Sequence, residues 1–166
     1  MRVRTPAAVF LILLVAVVLQ STLFGRIRVI TPDLVLLVAI LIALTRIKPE
    51  LVLAIAFSAG LVVDLLGSSL LGLRAIVFMS AAYIALRTRE RADIGRFATA
   101  LWAGGMTLIG VVLLVLLGTL FGQSTILGEH VLSRLVTVPL ANMLLAFMIA
   151  PVLVRTVDQD PAALRY

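Results

Sequence analysis

Six apolar stretches separated by short polar breaks organise the chain: Pro6–Phe24, Pro32–Arg46, Glu50–Leu66, Leu70–Arg87, Phe97–Phe121 and Val131–Val154. A helix that crosses the roughly 30 Å hydrocarbon core of a bilayer needs about 20 apolar residues. The second and third stretches are short by that measure. Their connector, Arg46-Ile47-Lys48-Pro49-Glu50, lengthens both if Arg46 and Lys48 lay their aliphatic stems along the bundle and place their charges at the interface. The fifth stretch carries no charge between Phe97 and Phe121 and is the clearest span. Local signals agree with these boundaries. Thr31-Pro32-Asp33 supplies a hydroxyl cap, a first-turn proline and an acid at the positive end of a helix dipole. Pro49-Glu50 does the same for the third helix. Tyr83 and Trp102 fall where amphipathic rings line a membrane interface. The pattern predicts an all-α integral membrane protein, a six-helix transmembrane bundle.

Composition narrows the class further. Of 166 residues, 63% are apolar and 13% charged, with a mean hydropathy of +1.23. A soluble domain carries roughly a quarter charged residues, and a disordered chain is poor in apolar ones, so both are excluded. With no internal repeat or linker, residues 1–157 read as one six-span domain and 158–166 as a short polar cytoplasmic tail. Arg2 and Arg4 before an apolar run resemble a secretory signal. No small-x-small cleavage site closes that run, so an uncleaved first helix is expected. The absence of cysteine removes disulfides, thiolate catalysis and cysteine-ligated metal.

The formal charge is +6, from 14 Lys and Arg against 8 Asp and Glu. In a soluble chain that excess would point to nucleic acid. Here the basic residues lie between spans, where they set orientation. With both termini cytoplasmic, Arg2, Arg4, Arg46, Lys48, Arg87, Arg89, Arg91, Arg96, Arg155 and Arg165 lie inside, ten of the fourteen. Arg26, Arg28, Arg74 and Arg134 remain outside, the last two at helix entrances. The sequence therefore predicts a multi-pass membrane protein with no nucleic-acid partner. Its Arg87–Arg96 run reads first as a topology anchor; the alternative is a contact for anionic membrane lipids or an acidic cytoplasmic partner.

Polar residues at membrane depth are the candidates for chemistry. Asp64 lies near the outer end of the third span, where a central carboxylate costs roughly 2.5–3.5 kcal/mol to insert. Ala56, Gly60 and Asp64 share one helical face, whose small residues admit another helix closely. Asp64 reads either as a proton or ion site, or as a structural carboxylate held by Arg74, by Arg134 or by amides in the turn from Gly67 to Ser69. An outer-end position costs less desolvation and no second acid is expected nearby, which favours the structural role. Arg134, Val138 and Asn142 share a face of the sixth helix, so Asn142 is expected to make a polar contact across the bundle. His130, the single histidine, sits beside Glu129 in an outer loop with no partner for a metal. No catalytic triad, phosphate loop or carboxylate pair assembles from this material, so no enzyme activity and no cofactor are expected.

Read in order, several motifs resemble the MreD family of rod shape-determining proteins. They are Leu19-Gln20-Ser21-Thr22-Leu23 closing the first helix, Pro32-Asp33-Leu34 opening the second, and Gly60-Leu61-Val62-Val63-Asp64-Leu65-Leu66-Gly67 followed by Leu71-Gly72-Leu73. The likeness runs from about Leu19 to Arg87 and includes a basic loop after the fourth helix. Arg74 departs from the family pattern, which more often has a small or uncharged polar residue there. The resemblance implies a non-enzymatic inner-membrane component of the cell-elongation machinery, the elongasome. Such a protein would bind the bitopic MreC protein and, through it, MreB filaments and peptidoglycan synthases. It also implies an architecture similar to the substrate-binding subunits of energy-coupling-factor transporters. Gly60, Asp64, Gly67 and Gly72 carry over as structural or partner-contact residues.

These readings converge on a scaffold in which a groove walled by Ala56, Gly60 and Asp64 accepts a partner transmembrane helix. The alternative is a solute-binding membrane subunit of a vitamin-type transporter. Its outer pocket would draw on Gln123, Ser124, Thr125, Glu129 and His130.

Overall fold

A computed structural model describes residues 4–24, 32–67, 70–91, 95–123 and 131–158. These residues form six α-helices and no strand: α1 Arg4–Leu19, α2 Leu34–Ile42, α3 Pro49–Leu66, α4 Leu73–Thr88, α5 Arg96–Leu120 and α6 Val131–Asp158. A π-helical turn, Gln20–Phe24, extends α1, and a 3₁₀ turn, Arg89–Arg91, follows α4. Three helices are long and apolar enough to cross a membrane: α3, α5 and α6. The boundaries expected from the sequence agree within a few residues for α3, α4 and α5, and α6 runs four residues beyond Val154.

The second helix departs from expectation. A stretch from Pro32 to Arg46 was predicted to span, but α2 is nine residues long, about 13 Å at 1.5 Å per residue. Every one of its residues is buried, at 0–7% exposure. A helix apolar on all sides suits a membrane span or a core equally; its burial places α2 in the core, where it touches each of the other five helices. It ends at Ile42 because the chain turns there: Ala43, Leu44 and Thr45 donate their N–H groups to Ile40, Leu41 and Ile42 in tight turns. The Thr45 hydroxyl, itself buried, adds a 2.6 Å bond to the Ile42 carbonyl. Backbone at this depth must be satisfied internally, and these turns do so.

Around α2 the remaining helices pair mainly as hairpins, α3 with α4 and α5 with α6, while α4 also packs on α5 and α1 lies on α2 and α6. The α3–α4 hairpin closes through Gly60. A Cβ there would sit 2.5 Å from the Arg74 carbonyl oxygen and 2.6 Å from the Ala75 N and Cα. The groove that the sequence offered to a partner helix is thus filled by this chain's own α4, with Ala56, Gly60 and Asp64 all buried beneath it. The α5–α6 pair closes on Gly104, whose missing Cβ would meet Met143 at 3.1 Å. Pro139 and Pro151 lie inside α6. Each lacks an N–H for its helical bond, a loss that neighbouring helices make tolerable in membrane proteins.

Trp102 is buried rather than set among headgroups. Its indole N–H donates to the Thr88 hydroxyl at 3.0 Å, tying α5 to the end of α4. Tyr83 is half exposed, with the Arg87 guanidinium over its ring at 5.4 Å.

Gly60→Ala should lower stability by about 1–3 kcal/mol, the usual range for overpacking, because backbone rather than a flexible side chain opposes the new methyl. Gly105→Ala, on an exposed face with nothing within 4 Å, should be neutral or slightly stabilising. Thermal unfolding of both variants in detergent, followed by size exclusion, checks the contrast.

Candidate functional site

The first-turn amides of α2 have no partners within their own helix, and side chains from separate segments supply them. Asp33 is the N-cap, its Oδ1 accepting from the Leu36 N–H at 3.0 Å. Gln20, from the π-helical turn, accepts from the Val35 N–H at 3.1 Å through Oε1. The Asp33 carboxylate also places negative charge at the positive end of the helix dipole.

This helix start lies deep in the bundle. The Asp33 carbonyl accepts from Asn142 Nδ2 at 3.0 Å, and the same nitrogen lies 3.3 Å from the Thr107 hydroxyl oxygen. Thr107 in turn donates to the Ala103 carbonyl at 2.8 Å. Thr107 is roughly 16 Å along α5 from Arg96, and Asn142 roughly 16 Å along α6 from Val131, at 1.5 Å per residue. Both are fully buried. Asn142 therefore joins α6, α5 and the head of α2, while among the described residues its Oδ1 meets no donor.

Asp64 sits two residues before the end of α3 with its side chain fully buried. Its Oδ2 accepts from the backbone N–H groups of Gly72 and Arg74, each at 2.9 Å. Two amides on one carboxylate oxygen are charge-assisted bonds, each about twice as strong as a neutral one. They fix the turn between α3 and α4 and cap the first turn of α4. Gly72 has φ +91°, a left-handed conformation that other L-residues adopt only at a cost of about 1–2 kcal/mol. Gly67, at φ −99° and ψ −178°, is extended and needs no glycine on conformational grounds.

Arg74 bridges two carboxylates. Its Nε lies 3.8 Å from Asp64 Oδ1 and its guanidinium nitrogen 3.8 Å from Asp33 Oδ2. These separations exceed hydrogen-bond length, so the contacts are ionic. The side chains of Arg74 and Asp33 are 25% and 14% exposed, which admits some solvent screening. A second acid does stand near Asp64: the fold brings Asp33 to it across 31 positions of sequence. No periodicity within either helix carries that information. The available signal was the presence of Gln20, Asp33 and Asp64 in three separate motifs of one family likeness.

The other sequence candidates are placed as follows. Arg134 is exposed on α6, and no ion pair joins it to Asp64 among the described residues. Val138 and Asn142, on the same face, are buried. Gln123 closes α5, its N–H donating to the Gly118 carbonyl at 2.8 Å. Ser68, Ser69, Ser124, Thr125, Glu129 and His130 lie outside the described residues, as do Arg26 and Arg28. Chemically, the cluster of Gln20, Asp33, Asp64, Arg74, Thr107 and Asn142 engages its polar atoms chiefly in holding helix ends. Among the described residues, no group of three or more His, Asp or Glu is arranged to hold a metal.

Comparison with known proteins gives one match: residues 1–157 fit the family model described as rod shape-determining protein MreD. No curated protein and no solved structure matches the chain.

Asp64→Ala strands two backbone N–H groups and leaves Arg74 without one of its counter-charges, so it should cost about 3–5 kcal/mol, the range for breaking a buried pair. Asp64→Asn, whose amide oxygen can take the place of Oδ2, should lose markedly less. Equal losses for the two variants in detergent unfolding would mean that amide capping is not what Asp64 does.

Proposed function

Because the chain belongs to the MreD family of rod shape-determining proteins, with a role in rod shape determination, we propose that it is a non-enzymatic membrane scaffold of the cell-elongation complex. The match over residues 1–157 carries this reading. On it, the chain binds the bitopic MreC protein and through it supports MreB filaments and peptidoglycan synthases. The interior is compatible with such a role. Asp33, Asp64 and Arg74 hold one another and the backbone, an arrangement that stiffens the bundle.

The scaffold has six membrane-embedded segments in one domain, with both termini cytoplasmic and α2 as a buried segment supported by the other five helices. The distribution of Lys and Arg supports this orientation. Ala56, Gly60, Asp64, Gly67 and Gly72 act as structural residues: they set the α3–α4 hairpin, and the partner meets a surface that this hairpin helps to shape. The filled groove favours that role over direct contact between the Gly60 face and a partner helix.

Complementation tests the proposal. In a rod-shaped bacterium depleted of its own MreD-family protein, this chain should restore rod shape, and affinity-tagged chain should co-purify with co-expressed MreC. Asp64→Ala should reduce both, in proportion to the loss of folded protein in the membrane. A wild-type chain that inserts and is stable yet retains no MreC would refute the scaffold reading.

A further inference from the structure

At the end of the bundle away from the Asp64 cluster, a cleft of about 730 Å³ opens between the α2–α3 connector, the start of α5 and the last third of α6. Its volume falls within the 300–1,000 Å³ common for ligand sites. Two connectors far apart in sequence converge there. Arg46 and Lys48 come from one, Arg89 and Arg96 from the other. Among the described residues lining it, Glu90 is the single carboxylate beside these four basic side chains. Topology anchoring requires basic residues on one side of the membrane; it does not require them around a common cavity.

Two further features define what the cleft would take. Gly95 is the N-cap of α5, at φ +138° and with no side chain to accept from the first-turn amides. The dipole of a 25-residue helix thus adds to the positive potential of the cleft. Ala150, Pro151 and Val154 of α6 and Leu44 and Ile47 of the connector add an apolar lining. A guanidinium pairs with phosphate oxygens in bidentate fashion, and an apolar wall beside such a cluster suits a hydrocarbon chain. We propose that this cleft binds the phosphate headgroup of an anionic phospholipid, with an acyl chain laid along the α6 wall. The assignment stands independently of the scaffold reading.

The test uses the full chain in detergent micelles, with phosphatidylglycerol, phosphatidylcholine and inorganic phosphate as separate probes. Bound lipid is counted by native mass spectrometry, and thermal stabilisation is measured alongside, since a ligand of the folded state raises the unfolding temperature. Phosphatidylglycerol should bind in preference to phosphatidylcholine. A basic residue near an anionic headgroup contributes about fivefold in affinity, so the double variant Arg89→Gln/Arg96→Gln should lose roughly 25-fold. The double variant Arg87→Gln/Arg155→Gln removes the same charge outside the cleft and should bind as the parent does. Val154→Trp fills the apolar wall without altering charge and should also weaken phosphatidylglycerol binding. Equal losses in the two arginine pairs would overturn the proposal in favour of diffuse surface charge. Stabilisation by inorganic phosphate that matches phosphatidylglycerol, or a Val154→Trp variant that binds normally, would overturn the lipid assignment in favour of a water-soluble phosphate.

Discussion

Lipid offers backbone amides no hydrogen-bonding solvent, so a helix that starts inside a membrane bundle must find its capping groups within the protein. The head of α2 is in that position. Its carbonyl neighbour at Asp33 is bonded to Asn142, about halfway along α6, and its first-turn amides are met by Asp33 and by Gln20 from the end of α1. A nine-residue helix held by those groups serves as a hub. Each of the other five helices packs against it, and its full burial makes its position a constraint on all of them.

The α3–α4 hairpin obeys the same rule by a different route. Asp64 is buried with its charge directed at two backbone amides, and Arg74 carries the compensating charge across to Asp33. The cap of one helix is thereby coupled to the cap of another. Close approach at Gly60, one turn earlier on the same face of α3, locks the hairpin further. Arg74 has a physical role here, because a cation between two carboxylates brought to one place in a membrane offsets their repulsion.

The two ends of the bundle consequently differ in kind. Toward α2's head, Asp33, Asp64 and Arg74 are held by one another and by backbone amides, which suits a rigid body that presents its outer surface to the shape-determining complex. At the opposite end, basic residues from two connectors line an open cleft, with Glu90 as the single carboxylate among the described lining residues. Structural polar groups and surface-active ones are separated along the helix axes rather than mixed.

The class of this protein was legible in its sequence, because burial in lipid demands long apolar runs and leaves little room for charge. The start of α3 at Pro49 carries its own signal, a first-turn proline followed by Glu50, and Asp64 stood out as a carboxylate in an apolar setting. The length and role of α2 were not legible. The run Leu34–Ile42 is apolar on every side, and periodicity alone cannot separate a lipid-facing span from a helix enclosed by five others. The small-residue face of α3 was likewise visible without its occupant, since a stripe of Ala56 and Gly60 fits a partner's helix and the chain's own α4 equally well. Only the tertiary structure decided that α4 fills it, that Asp33 meets Asp64 through Arg74, and that Arg46 and Arg96 share a cleft. These are contacts between residues distant in sequence, and the distances between helices that create them are set by packing, which no local pattern encodes.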